Sequence, residues 1–150
     1  MPGFMQFMTG VYLFVGITWF DVFRGSPPLY AAALAFTAYG VHWFALGLIR
    51  LRGGDPRPNG FMAVAFTAIS ALGIVVFFSA GDWPVGLLFI GLTCIYLSEF
   101  FASLHGLFRE SVRRAGERSL GFFHLVTGIW LIYLTWATTL NFASHQHLPL

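Results

Sequence analysis

The sequence predicts an all-α integral membrane protein, a single polytopic domain (1–150) built as a bundle of five transmembrane helices. Hydrophobic residues make up 57% of the 150 residues and charged residues 9%, whereas a soluble domain carries about a quarter charged residues. Because a helix rises about 1.5 Å per residue, about 20 apolar residues cross a hydrocarbon core of about 30 Å. Apolar stretches of this kind lie at about 4–20, 29–49, 60–79, 84–104 and 120–141.

Helix-breaking segments separate these stretches and set the ends of the predicted helices. Glycine and proline cluster at 25–28, before the second helix, and at 53–60, between the second and the third. In the turn at 81–84, Asp82 is expected to cap the fourth helix, with a proline in its first turn. The link at 108–119 mixes arginine with glutamate and is compatible with a helix that lies at the membrane interface.

The basic residues, all of them arginine, predict the orientation of the chain. Seven of the eight lie in the links after the second and the fourth helix: Arg50, Arg52, Arg57, Arg109, Arg113, Arg114 and Arg118. In a five-helix chain these links share one side with the N-terminus, and the positive-inside rule makes that side cytoplasmic. We therefore expect a protein of the cell (inner) membrane with an external C-terminus. Since topology explains the arginines, nucleic acid is not expected as a partner.

Three ionisable side chains are predicted at similar depth in the inner half of the bilayer. These are Glu99 on the fourth helix, His42 on the second and His124 at the start of the fifth. Ionisable groups are costly in hydrocarbon and usually have a partner or a wet cavity. One interpretation is a proton relay or an anion path. The alternative is a glutamate that extends to the interface and two histidines that donate to backbone carbonyls.

Other chemistry finds little support in the sequence. Membrane haems are often held by histidines on neighbouring helices, and His42, His105 and His124 are the candidates, but no two of them share a helix at ligand spacing. No metal cluster, phosphate-binding loop or nucleophile–base arrangement is recognised. We therefore expect no cofactor, no metal, no catalytic residues and no enzyme. The single cysteine, Cys94, excludes an intrachain disulfide.

Residues 35–43 read AFTAYGVHW, which resembles the AFTSYGxFW stretch of the acetate–succinate permeases, the YaaH-type acetate uptake transporters. Segment 15–25 resembles the family's AGxxEY…KG segment, 89–93 its FFSLT stretch, and 140–149 its LNexfGRtvLP tail. The resemblance runs in order onto family helices two to six. The family's first helix, with its NPAPLGL motif, has no counterpart here, and Trp19 stands at the position of the family's glutamate.

The resemblance implies a substrate path through each protomer of a hexamer. In the family a tyrosine of the AFTSYG stretch and a leucine of the FFSLT stretch form part of the constriction, and these map to Tyr39 and Leu92. His42 shares a helix face with Tyr39, and Glu99 shares one with Leu92. The predicted substrate path is therefore Tyr39, Leu92, His42 and Glu99.

Two candidate functions follow from the resemblance and from the positions at which this chain differs from the family's motifs. The first is a small-carboxylate (acetate-like) permease or channel, with proton linkage as a further expectation. The alternative is a transport-incompetent relative that serves as an accessory subunit of a larger membrane complex, since the substrate motif is lacking. The family places the loop equivalent to Arg24-Gly25 in the cytoplasm, whereas the charge rule places it outside. A weaker likeness to the urea/amide channels, also hexameric, exists around 81–83 and in the last two helices.

Overall fold

The computed structural model describes residues 2–22, 26–104 and 106–150, and within these ranges the protein is all-helical. The helices are α1 (Pro2–Thr18), α2 (Pro27–Arg52), α3 (Arg57–Ser79), α4 (Trp83–Ser103) and α5 (Glu110–Ser144). Each predicted apolar stretch corresponds to one of them, so the predicted fold class is confirmed.

Four of the helices, α2 to α5, are long and apolar enough to cross a membrane. α1 is also apolar, but it is shorter at 17 residues. The C-terminal end of α4 lies one residue from its predicted position, and α2 and α3 each begin a little earlier than predicted. The local signals at the turn before α4 act as expected, because the side chain of Asp82 accepts a hydrogen bond from the backbone N–H of Val85 at 3.2 Å.

α5 begins at Glu110, well before the apolar stretch predicted from about 120. Its charged start is stabilised by ion pairs at helical spacing: Arg113 contacts both Glu110 and Glu117, and Arg114 lies 2.9 Å from Glu110. Hydrogen bonds from Arg113 and Arg114 lower the pKa of Glu110 to about 2, so this carboxylate is ionised at neutral pH. Most of the link predicted at 108–119 is therefore the first turns of a helix.

The helices pack as a series in chain order, each against its neighbours in sequence. α1 packs closely on α2, where a Cβ added at Gly40 would lie 2.5 Å from the backbone nitrogen of Phe7. The core lies among α2, α3 and α4 and is mainly aromatic, with Tyr39, Phe66 and Tyr96 among its buried members. α1 and α5 thus form the two ends of the series.

The two arginine-rich links lie side by side. Asp55 of the link between α2 and α3, together with Arg57 and Pro58 at the start of α3, lines one surface depression with Gly106 and Leu107 from the link after α4. We call this end of the molecule the basic end. It also holds the start of α1, because Gly3 packs against the second half of α2.

The C-terminal segment folds back on α5. His145 adopts a left-handed conformation (φ 52°) that ends the helix. Asn141 then forms two hydrogen bonds with the backbone of Leu148, at 3.0 and 2.9 Å, and the Tyr133 hydroxyl donates to the carbonyl of Pro149 at 2.8 Å. Segment 140–149, which resembles the tail of the permease family, therefore holds the C-terminal residues against α5.

Candidate functional site

A cleft of about 630 Å³ lies between α2, α4 and α5, with Gln6 of α1 at its margin. Its wall includes all four residues of the predicted substrate path: Tyr39, His42, Leu92 and Glu99. Sequence spacing placed these residues in pairs on two helices, and the tertiary structure brings both pairs to one cavity. The role of that cavity as a path remains a prediction.

His42 and Glu99 form a buried pair across the interior. The Nε2 atom of His42 lies 3.2 Å from Oε2 of Glu99, and the two side chains are 2% and 7% exposed. The alternative in which Glu99 extends to the membrane interface is therefore wrong. A buried acid–base pair can exist as two charges or as two neutral groups, depending on where one proton lies, and a cavity beside it allows that proton to be exchanged.

Aromatic rings enclose the His42 side of this pair. The imidazole meets the rings of Phe66 and Tyr96 edge-on, with centroid distances of 4.8 and 5.6 Å. Its Nδ1 atom is buried without a hydrogen-bond partner in the described part of the chain. The polar contact of the ring is therefore made through Nε2, which faces Glu99. This arrangement sets the orientation of the ring by packing.

Tyr39 contributes ring surface to the cleft, while its hydroxyl is engaged elsewhere. The hydroxyl lies 2.6 Å from the Oγ atom of Ser70 on α3, and Ser70 in turn donates to the carbonyl of Phe66 at 2.8 Å. Its ring packs 5.0 Å from that of Tyr96. Tyr39 can therefore set the width of the cleft but has its hydroxyl satisfied by α3. Sequence reasoning did not identify Ser70, a polar residue inside an apolar helix.

Leu92 lies on the α4 wall of the cleft and packs against the core cluster that contains Tyr39. Leu87, five residues earlier, is 40% exposed and lies outside the cleft lining. The two leucines therefore occupy different faces of α4, which agrees with a spacing of five residues on a helix.

His124 lines the same cleft from α5, but its contacts differ from those of His42. Its Nδ1 atom lies 2.8 Å from the carbonyl oxygen of Leu120, so this nitrogen donates to the backbone. Its ring packs 6.3 Å from that of Trp43. Of the three residues predicted to meet, His42 and Glu99 therefore form a pair, and His124 lines the same cleft. For His124, the alternative in which the histidine donates to a backbone carbonyl is confirmed.

The histidines proposed as haem ligands do not form a common site in the described residues. His42 faces Glu99 and His124 bonds to its own helix, and His105 lies outside the residues that the structure describes. Within the described ranges, no group of three or more histidine, cysteine or acidic side chains is arranged to hold a metal ion.

The wall of the cleft is mostly apolar, and its charged groups lie toward the basic end. Beyond the His42–Glu99 pair, the charged lining residues are Arg50 on α2 and Glu117 on α5. Chemically, this arrangement can accommodate a small molecule with one apolar part and one anionic or acidic part, and it offers that molecule an acid–base pair.

No protein-family model, curated protein or solved structure matches this chain. The likeness to the acetate–succinate permeases therefore rests on the short sequence motifs alone.

Proposed function

We propose that the protein is a membrane permease or channel for a small carboxylate such as acetate, with the cleft as the substrate path. The observation that carries this proposal is the buried His42–Glu99 pair on the wall of a cavity that also exposes Tyr39 and Leu92. Ionisable side chains buried inside a transmembrane bundle are expensive and commonly mark ion or proton pathways. Pairing at 3.2 Å offsets part of that cost.

In this proposal the four lining residues have two tasks. Tyr39 and Leu92 form an apolar waist that fits the methyl end of a small acid. His42 and Glu99 exchange a proton with the substrate or with water in the cleft, which links transport to protons. The other ionisable side chains on the cleft wall are Arg50, Tyr96, His124 and Glu117.

The basic end is proposed to face the cytoplasm, which places the N-terminus inside and the C-terminus outside. The charge distribution of the links supports this orientation. We further propose that the chain assembles as a homo-oligomer, hexameric as in the resembling family. Apolar residues follow one face of α5 at helical spacing and are at least 60% exposed, among them Leu125, Ile129, Ile132 and Trp136. This face is available to lipid or to a neighbouring protomer.

The second candidate is an accessory subunit of a larger membrane complex. The observation that favours it is the gap between α2 and α5: among the described residues, no Cα atoms of these helices come within 8 Å of each other. They meet through the rings of Trp43 and His124. A helix of another subunit inserted there would fill the cleft and pack against both α2 and α5.

Vesicle transport separates the two functions. The purified protein is reconstituted into liposomes, and uptake of radiolabelled acetate is followed with and without an inward proton gradient. Saturable, gradient-stimulated uptake supports the permease. Absence of uptake, together with foreign subunits that co-purify after gentle extraction and are seen by native mass measurement, supports the accessory subunit.

A further inference from the structure

We propose that Arg50 forms an anion-binding subsite at the basic end of the cleft, where it receives the carboxylate group of the ligand. This inference rests on the proposed function and deepens it, since it assigns the residue that recognises the charge of the substrate. Arg50 follows His42 by eight residues on α2, which places it about 12 Å further along the helix axis. Both residues line the same cleft.

Among the described residues, the Arg50 guanidinium has no intramolecular partner. Within the described part of the chain, no hydrogen bond or ion pair involves this side chain. The nearest acidic group of the lining on α5 is Glu117, which is bound by Arg113 of the same helix. The other carboxylate of the lining, Glu99, is paired with His42. Both acids of the cleft therefore already have partners, and among the described lining residues Arg50 is left without one.

The chemistry of arginine specifies the kind of ligand. The planar guanidinium presents paired N–H donors that match the two oxygens of a carboxylate, and such charge-assisted contacts are stronger than neutral ones. Arg50 is exposed and lines the cleft, so its guanidinium is accessible to a ligand that enters the cleft from the basic end. Gln6 of α1 lines the same cleft and supplies an amide that can donate a hydrogen bond to a ligand there.

Arg52 is the control that separates ligand binding by Arg50 from the general effects of an arginine at a helix end. Both residues lie in the last turn of α2, where a positive charge interacts favourably with the helix dipole and can extend to the interface. Arg52 is exposed like Arg50 but lies outside the cleft lining. Effects common to both arginines therefore report on the helix end, and effects confined to Arg50 report on the cleft.

The test measures binding separately from transport. Full-length protein in lipid nanodiscs is titrated with acetate and, in parallel, with acetamide, a neutral molecule of nearly the same shape, and binding is followed by saturation-transfer NMR of the ligand methyl group. We expect Arg50→Gln to weaken acetate binding about fivefold or more while leaving acetamide binding unchanged. Arg50→Lys should retain part of the affinity, and Arg52→Gln should stay within about twofold of the wild type.

Three results would overturn the inference: no acetate binding by the wild type, acetate binding by Arg50→Gln equal to the wild type, or equal weakening of acetate and acetamide. Vesicle uptake then shows whether the proposed function stands independently. Uptake that is insensitive to Arg50→Gln removes the subsite and keeps the permease. Acetate binding that depends on Arg50 without any uptake keeps the subsite and removes the permease.

Discussion

His42 on α2 and Glu99 on α4 meet at 3.2 Å across a gap that the backbones of their helices do not bridge. Among the described residues, no Cα atom of α2 lies within 8 Å of α4, so long side chains make the contact between these two helices. The pair therefore both connects two helices and places a buried acid–base pair on the wall of the cleft. Glu99→Gln tests the proton-exchange role, and His42→Leu with its double variant tests the connection between the helices.

Glu99→Gln should abolish the pH dependence of acetate uptake while passive flux remains. The amide keeps the size and the hydrogen-bonding capacity of the carboxyl group but cannot exchange a proton. The measurement is initial uptake into proteoliposomes over a range of external pH. Glu110→Gln is the matched control, because Glu110 lies in the charged first turn of α5, outside the lining of this cleft. An unchanged pH profile in Glu99→Gln would remove this residue from the mechanism.

Replacing one partner of the pair should destabilise the protein more than replacing both. His42→Leu leaves a buried carboxylate without its partner, which costs roughly 3–5 kcal/mol in comparable sites. The double variant His42→Leu/Glu99→Leu removes the uncompensated charge and should recover much of that loss. The free energy of unfolding in mixed micelles measures the effect. Additive losses in the double variant would show that the two side chains do not interact.

Leu92→Ala should change acetate flux, whereas Leu87→Ala should change it little. Leu92 lies on the wall of the cleft and packs against the cluster containing Tyr39, so its truncation widens the waist. Leu87 is 40% exposed on another face of α4. Uptake rates are normalised to the amount of folded protein in the vesicles. Equal effects of both substitutions, or none from either, would argue against a path at this position.

Gly40→Ala should destabilise the packing of α1 on α2. The added methyl group would meet the backbone of Phe7 at 2.5 Å, and a backbone cannot move aside as a flexible side chain can. Overpacking of this kind costs about 1–3 kcal/mol. Gly47→Ala, on the same helix with nothing within 4 Å, should be neutral or slightly stabilising. Thermal unfolding of the two variants in one detergent makes the comparison, and equal midpoints would contradict the close approach.

A probe cysteine at Ser144 should react with an impermeant reagent applied from outside the cell, and one at Ser111 should not. This follows from the arginine-rich links, which predict a cytoplasmic start and an external end for α5. Both serines are exposed, so accessibility is set by the membrane and not by burial. Cys94 is replaced in both variants to remove background labelling. The reverse pattern would invert the orientation.

The number, class and approximate limits of the helices could be read from the sequence because they depend on local properties. Length and hydrophobicity determine which segments can cross a bilayer, and the Asp82 cap acts within its own turn. The apolar stretch at about 120–141 predicts only the apolar part of α5, because the charged turns that start at Glu110 are stabilised by ion pairs, which a search for apolar stretches does not detect.

The sequence by itself also determined that Tyr39 shares a face with His42 and Leu92 with Glu99, since helical periodicity sets which residues lie together on one helix. The tertiary structure alone decided that these two faces meet, that Glu99 pairs with His42, and that His124 bonds to its own backbone instead. It also decided that Ser70 holds the Tyr39 hydroxyl. The physical reason is that pairing between helices depends on how each helix is rotated and spaced against its neighbours. That arrangement is a property of the packed bundle, and no single helix encodes it.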